Sequence, residues 1–366
     1  MRRRIAHLTF DMGFGGAEQV ICQLVRGLSE ERESAVVCLE GSVGRLGRDL
    51  MEEGIQVATL GRQPGFDFSL VLRLRRWLQG WRPDVLHCHQ YSPWVYGWLA
   101  SRGLGIRVVF TEHGRFHPDR SKPKRVLINP IMGRTSHALV AISNATLEAL
   151  VRYEYLPRTR IALVYNGSIP LPVAESDRAT VRAEFGIPKD ALIVGTVSRL
   201  DPIKNQSMLL SAFGAAAQEH EGMHLLIVGD GPLGDELRAQ AAAGPFADRI
   251  HFTGFRTDTA RLLAAMNIYL LPSLSEGTSM TLLEAMSLAL PCIVTDVGGN
   301  PEIVEADVTG LVVPSQDQFA LTAAMLSLVE SPDRAVALGR AGRRRFDLMF
   351  SLERMLDAYA AIYDGC

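Results

Sequence analysis

The chain has no run of 18 apolar residues, no D-x-D triplet, and no paired cysteine spacing. Each absence excludes something. Without a long apolar run, no segment reads as a membrane-spanning helix. Without D-x-D, there is no acidic pair of the kind that holds a nucleotide diphosphate through a metal ion. The five cysteines (Cys22, Cys38, Cys88, Cys292 and Cys366) are odd in number and scattered, so they read as reduced, mostly buried thiols rather than a disulfide framework. Charge of one sign is also missing. A net charge of -2 gives no basic footprint for nucleic acid. The opening "MRRRIAHLTF" carries an apolar run too short for a signal peptide and leads directly into a strand pattern. The expectation is a cytoplasmic protein, with a peripheral place on the inner face of the cytoplasmic membrane left open.

What is present is ordinary for a globular protein: 47% hydrophobic and 21% charged residues in a chain of 366. That length favours two domains, because single cores stop growing near about 250–300 residues. Short β-branched runs alternate with helical patterns, the signature of parallel α/β architecture. Strands are expected at "RIAHLTF", "SAVVCLE", "IQVATL", "DVLHCH", "RVVFTEH", "HALVAIS" and "RIALVYNG", with helices at Ala17 to Leu28 and Asn144 to Tyr153. A Pro-containing polar stretch over residues 168–190 breaks the rhythm, which then resumes with "LIVGTVSRL", "HLLIVGD", "RIHFTGF", "NIYLLPS", "PCIVTDV" and "GLVVPS". The fold class is therefore α/β, with two tandem Rossmann-like parallel-sheet domains facing across a cleft. They are expected over residues 1–170 and 171–349, with an amphipathic C-terminal helix at 350–366.

Four stretches carry candidate chemistry. The first is "TFDMGFGGAEQV", where Gly13, Gly15 and Gly16 precede a helix and suit either an anion contact or a tight strand-to-helix turn. The second is "GDGPLG", which matches G-x-G-x-x-G through Gly229, Gly231 and Gly234 and keeps a nicotinamide-dependent oxidoreductase open. Against that, Pro232 stiffens the loop, and Asp248, the acid about 20 residues on, precedes a strand instead of ending one. The third is "VSRLDPIKNQ": Arg199 and Lys204 follow a strand end, suited to a diphosphate or simply to solvent, and Asn205 can cap the next helix. His87, His89, His113 and His117 raise a metal site, but no carboxylate pattern completes it, so none is expected.

The fourth stretch is "PSLSEGTSMTLLEAMSLALP", with seven residues between Glu276 and Glu284. A helix over Thr278 to Leu290 leaves Glu276 in the preceding loop. It places Glu284 among Met280, Thr281, Ser287 and Leu288, which is not a solvent face. A carboxylate there needs partners. Either a vicinal diol of a ligand or an arginine would serve.

These motifs together resemble the retaining glycosyltransferases of the GT-B fold, glycosyltransferase family 4. The matching elements run in the family's order: "FGGAE", "TEHGR", "AISNAT", "YNGSI", "VSRLDPIKNQ", "LIVGDGP", "FTGF", "PSLSEGTSMTLLEAM", "GGNPEIV" and "GLVVPSQD". The resemblance implies a nucleotide-diphosphate sugar as co-substrate, a UDP-sugar in preference to a GDP-sugar, with no further cofactor and no metal. Arg199 and Lys204 would hold its phosphates, Glu284 the ribose, and Glu276 the transferred sugar. The amides of Gly277, Thr278, Ser279 and Met280, together with Gly229, Phe255 and Arg256, fall to the donor as well. Gly15 and Gly16 would approach the diphosphate, His113 would contact the sugar, and the last helix would pack on the first domain. The departing phosphate, not a glutamate, would act as base.

The acceptor, a glycan or lipid-linked saccharide, belongs to the first domain. There "LRLRRWLQGW" (Arg73, Arg75, Arg76, Trp77, Trp81) and "GRFHPDRSKPKR" (Phe116, Arg120, Lys122, Lys124, Arg125) suit an anionic membrane surface. A solvated helix and an ordinary loop account for them equally. A non-catalytic glycan or nucleotide-sugar binder remains a third reading. Donor sugar, acceptor identity and oligomeric state are not written in these residues.

Overall fold

A computed structural model describes residues 2–114 and 123–365. Thirteen strands form two sheets. The first contains β1 (Arg3–Thr9), β2 (Arg32–Cys38), β3 (Gln56–Thr59), β4 (Val85–His89), β5 (Arg107–Glu112), β6 (Ala138–Ala141) and β7 (Ile161–Leu163). Their order is β3-β2-β1-β4-β5-β6-β7, with every pairing parallel. The second contains β8 (Leu192–Val197), β9 (Met223–Val228), β10 (Ile250–Gly254), β11 (Ile268–Leu271), β12 (Cys292–Thr295) and β13 (Leu311–Val313). Here the order is β10-β9-β8-β11-β12-β13, again parallel throughout.

The central strands are apolar on both faces because helices cover both faces. Leu225, Leu226, Ile227 and Val228 are all buried, as are Ile5, Ala6 and Leu8. The helices present one apolar stripe each: Gly16–Gly27 buries Val20, Ile21, Leu24 and Val25. Side-chain caps set several starts. Asp67 accepts from the Leu70 amide, Ser143 from that of Thr146, and Asp317 from that of Ala320. Four described cysteines, Cys22, Cys38, Cys88 and Cys292, are free and buried. Burial pushes the Cys22 thiol up to about 11.

Two compact units result: Met1–Gly167 together with Leu352–Cys366, and Ser168–Ser351. The C-terminal helix Leu352–Gly365 belongs to the first unit for a visible reason. Tyr359 and Tyr363 are fully buried, and their hydroxyls meet Thr111 (3.2 Å) and His87 (2.7 Å). Leu356 fills the space that a side chain at Gly27 would need. In the second unit Ser168 bridges to Ser351, so its two ends lie side by side.

Part of the basic charge in the first unit's two stretches is engaged within the fold. The basic residues of "LRLRRWLQGW" are largely spent inside the fold: Arg73 bonds Asp67 (2.9 Å) and the Leu60 carbonyl (2.9 Å), and Arg75 bonds the carbonyls of Ala100 and Arg102. Trp81 is buried under the Arg4 guanidinium and stacks on Trp77. In the second basic stretch, Phe116, His117, Arg120, Lys122 and the Lys124 side chain lie outside the described residues. Arg125 forms an ion pair with the buried Glu154 and lies over the Tyr91 ring.

Candidate active site

In an open parallel sheet, ligands bind beyond the carboxyl ends of the strands where the strand order reverses. In the second unit that point lies between β8 and β11. The loop after β8 carries Arg199 and Lys204, and the loop after β11 carries Glu276. Although 72 positions apart, the two loops are stitched together. Leu274 N–H donates to the Ile203 carbonyl (2.7 Å), and Asn205 Nδ2 to the Pro272 carbonyl (3.3 Å).

Lys204 and Glu276 meet directly. Lys204 Nζ lies 2.6 Å from Glu276 Oε1, which also accepts from Ser273 Oγ at 2.6 Å. The Glu276 side chain is only 8% exposed. This ion pair is not legible in the sequence. The glutamate steadies the lysine, and both sit at the strand ends. Arg199 behaves differently: its side chain is 70% exposed and 3.5 Å from Asp201. Its loop is held from behind by the buried Gln206, whose Nε2 donates to Ser198 Oγ (2.9 Å) and the Arg199 carbonyl (2.8 Å).

The expected cap at Asn205 is not formed. Asn205 sits at φ +54 and gives no side-chain cap to the helix Gln206–Glu219. Asp201 instead caps the short turn Pro202–Lys204, accepting from the amides of Ile203 and Lys204. The left-handed backbone turns the Asn205 amide toward the neighbouring loop.

Glu284 lies in the helix Met280–Ser287, shorter at both ends than Thr278 to Leu290 because Ser279 caps it and Ala289 turns left-handed. Thr278 and Ser279 therefore belong to the loop, with their amides outside the helical ladder. Glu284 is half-buried, and among the described residues its carboxylate has neither the arginine that one reading offered nor another side-chain partner. Desolvation alone pushes it up to about 7. An unpartnered, poorly hydrated carboxyl group is chemically suited to ligand hydroxyls.

The remaining donor candidates divide. Gly229 has φ +134, and a side chain there would strike the Ser198 carbonyl; one at Gly231 would strike that of Leu200. These glycines let the loop after β9 press against the loop that carries Arg199. The "GDGPLG" loop follows β9, one strand away from the switch point, so the fingerprint serves loop packing and does not sit where a dinucleotide turn would. Phe255 is half exposed. Arg256 is tied to Asp258 at 2.7 Å and to Glu184, which holds its guanidinium well above the usual range and uses its charge within the unit. Gly277 lies between Glu276 and Thr278 in the β11 loop.

The first unit has its own switch point, between β1 and β4. The glycine loop follows β1: Gly13 N–H donates to Asp11 Oδ1 (2.8 Å), Gly15 precedes the helix, and Gly16 opens it. His113 follows β5, its Nε2 2.8 Å from His89 Nδ1. His89 Nε2 in turn is 3.1 Å from His7 Nδ1. His7, His87 and His89 have ring nitrogens within 4.8 Å of one another, a donor set compatible with a cation. Yet both nitrogens of His89 already face histidines, and those of His87 face Tyr363 and Thr111. Those four nitrogens are therefore engaged within the protein.

Comparison with known proteins agrees with the geometry. Two family models match consecutive stretches: "Glycosyltransferase Family 4" over residues 14–168 and "Glycosyl transferases group 1" over residues 177–345. The N-acetyl-alpha-D-glucosaminyl L-malate synthase of Bacillus anthracis is 28% identical over 311 residues, 82% of this chain and 79% of that protein. The UDP-Gal:alpha-D-GlcNAc-diphosphoundecaprenol alpha-1,3-galactosyltransferase of Escherichia coli is 25% identical over 330 residues, 86% of this chain and 84% of that one. The crystal structure of HepE from Anabaena, in complex with UDP, superposes with a TM-score of 0.88 at 21% identity, covering 99% of this chain and 100% of HepE. That last likeness speaks to fold.

Two parallel α/β units of this topology, with a cation and carboxylates at the second switch point, define a GT-B glycosyltransferase, an enzyme that moves a sugar from a nucleotide-sugar donor. More narrowly, the chain belongs to glycosyltransferase family 4.

Proposed function

We propose that the protein is a retaining, metal-independent glycosyltransferase that uses a UDP-sugar and extends a glycan or lipid-linked saccharide. The observation that carries the reading is the pairing of Lys204 with Glu276 at the β8–β11 switch point, followed by a helix on which Glu284 has no side-chain partner among the described residues. Lys204 supplies positive charge where the departing diphosphate gathers negative charge, and Arg199 is exposed enough to swing to it. Glu284 takes the ribose diol. Glu276 is held by Lys204 and Ser273 through one oxygen, Oε1, and offers its carboxylate to the transferred sugar. A carboxylate clamped in this way is a binding group. The leaving phosphate takes the acceptor's proton, and attack on the same face retains configuration, unlike the paired carboxylates of retaining glycosidases.

The lack of D-x-D supports a diphosphate held by cations of the protein itself. The Escherichia coli relative's use of UDP-Gal and the UDP bound to HepE support uracil over guanine. On the acceptor side, the helix Pro123–Thr135 leaves Val126, Leu127, Ile128 and Ile131 exposed, Leu127 by 76%. That apolar face beside Arg134 supports contact with a lipid surface or a lipid-linked acceptor. No helix among the described residues is long and apolar enough to cross a membrane.

The test is thermal protection by UDP, GDP and NAD, followed by donor hydrolysis. A shift with UDP alone and slow release of sugar, first formed as the donor's own anomer in NMR, is the expected result. A shift with NAD alone, or UDP binding without any hydrolysis or transfer, would overturn it.

A further inference from the structure

Four histidines lie on three adjacent strands or their ends, and they form two separate assemblies. His87 bonds Tyr363 through Nδ1 (2.7 Å) and Thr111 through Nε2 (2.8 Å), and Thr111 continues to Tyr359. That assembly fastens the C-terminal helix to the sheet. The second runs His7–His89–His113, with separations of 3.1 and 2.8 Å and no other residue interposed. Its far end is His113 Nδ1, a buried nitrogen with no hydrogen-bond partner among the described residues. Burial holds His7 and His113 down to about 3 and His89 well below its usual value, so all three rings are neutral at physiological pH.

A neutral imidazole has one N–H and one bare nitrogen, and the bond at one nitrogen fixes the state of the other. In a row of three neutral rings, the hydrogens must therefore point the same way along the chain. If His89 donates to His113, then His113 carries its hydrogen on Nδ1; if His113 donates to His89, its Nδ1 is bare. Either arrangement is cooperative, and a mixed one leaves two hydrogens or two lone pairs facing each other at a buried contact. An unpaired buried polar atom is costly. The unpartnered Nδ1 leaves this end of the row open to a ligand.

We propose that His89 and His7 are positioning residues that tie the tautomer of His113 to their own and fix its ring orientation, presenting its Nδ1 to a hydroxyl of the donor sugar. The inference rests on the donor reading above for the identity of the hydroxyl, but the lock itself is a property of the free protein. Breaking the chain frees His113 to rotate and to exchange tautomers. Turnover falls while the donor binds as before. The loss expected is about 10- to 100-fold, the scale known for outer partners of functional histidines.

The test combines spectroscopy with a paired substitution. In protein labelled with 15N-histidine, the two-bond couplings, assigned by comparison with His113→Gln and His89→Gln, should show that His113 has the same tautomer as His89. His89→Leu should convert it to an exchanging mixture. His89→Leu should lower kcat at unchanged donor KM, whereas His89→Gln, whose amide both donates and accepts, should retain most of the activity. If His89→Leu does not fold, His7→Leu and His7→Gln repeat the comparison one link back. Different tautomers at His89 and His113 in the parent protein, or equal activity losses in the Leu and Gln variants, would overturn the proposal. The spectra need no donor, so failure of the UDP-sugar reading shows separately, as absence of protection by UDP.

Discussion

Replacing Lys204 tests the site and the packing beneath it together. Its ammonium is 2.6 Å from Glu276 Oε1, and the glutamate side chain is 8% exposed. Lys204→Ala removes the cation from the switch point and strands a carboxylate whose remaining side-chain partner among the described residues is Ser273 Oγ. Breaking a buried pair from one side costs about 3–5 kcal/mol. Lys204 is itself 23% exposed, so water reaches the pair, and the cost should drop to about 2–3 kcal/mol. For a domain of this size that is a fall in Tm of roughly 4–12 °C. The catalytic loss is separate: one preorganised electrostatic contact is worth about 10²–10³-fold in turnover. Lys204→Met combined with Glu276→Gln distinguishes the two effects, since the double variant buries no lone charge. It should regain most of the Tm and none of the transfer rate. Calorimetry and a donor-hydrolysis assay on the two single variants and the double variant read both. An unchanged rate in Lys204→Ala would remove the lysine from the site, and strictly additive Tm changes would show that the pair is not coupled.

Three further outcomes follow from the same geometry. Folded protein holds the Glu284 proton up to about pH 7, whereas the unfolded chain releases it near 4.5, so stability from this group is fully present below pH 4.5 and is lost as pH rises through 7. Glu284→Gln should therefore raise Tm at pH 8, by up to about 3 kcal/mol of stability, change little at pH 4.5, and abolish protection by UDP; a variant no more stable at pH 8 than the parent contradicts the burial argument. Gly298 has φ +52, and a side chain there would strike the Glu276 carbonyl. Gly298→Ala should displace Glu276 and cost about 100-fold in transfer, as small misplacements at reacting centres do; activity within the error of the parent would show that the loop does not need this approach. Leu127 and Ile131 project from the helix Pro123–Thr135. Leu127→Glu with Ile131→Glu should release the protein from vesicles of anionic phospholipid in a sedimentation assay at unchanged Tm, and equal sedimentation of parent and variant rules out this face as the contact.

The expected strands were legible because each is a short apolar, β-branched run, and burial on both sheet faces leaves no alternation to misread. Helix ends were less so. Asn205 has the composition of a cap but a left-handed backbone, and Asp201 four residues earlier does the capping. The basic residues Arg73 and Arg75 looked free for a surface because nothing local reveals the carbonyls of Leu60, Ala100 and Arg102 that engage them. Glu284 was recognisable as a charge on an apolar helix face. That no arginine among the described residues meets it is a fact about distant chain segments.

Local pattern, then, was enough for two parallel α/β units, for the loops that carry Arg199, Lys204 and Glu276, for the helix that carries Glu284, and for the family those elements resemble. Periodicity, turn chemistry and motif spacing act over a few residues, and a chain displays them in linear order. Strand order does not act at that range. Placing β8 beside β11 joins Lys204 to Glu276, and placing β1 beside β4 sets His7 opposite His87 and within reach of His89. The glycine fingerprint lost its dinucleotide meaning for the same reason, since it follows a strand off the switch point. Contacts of this kind are set when sheets assemble and helices close over them, because only then do side chains far apart in sequence share one dry volume.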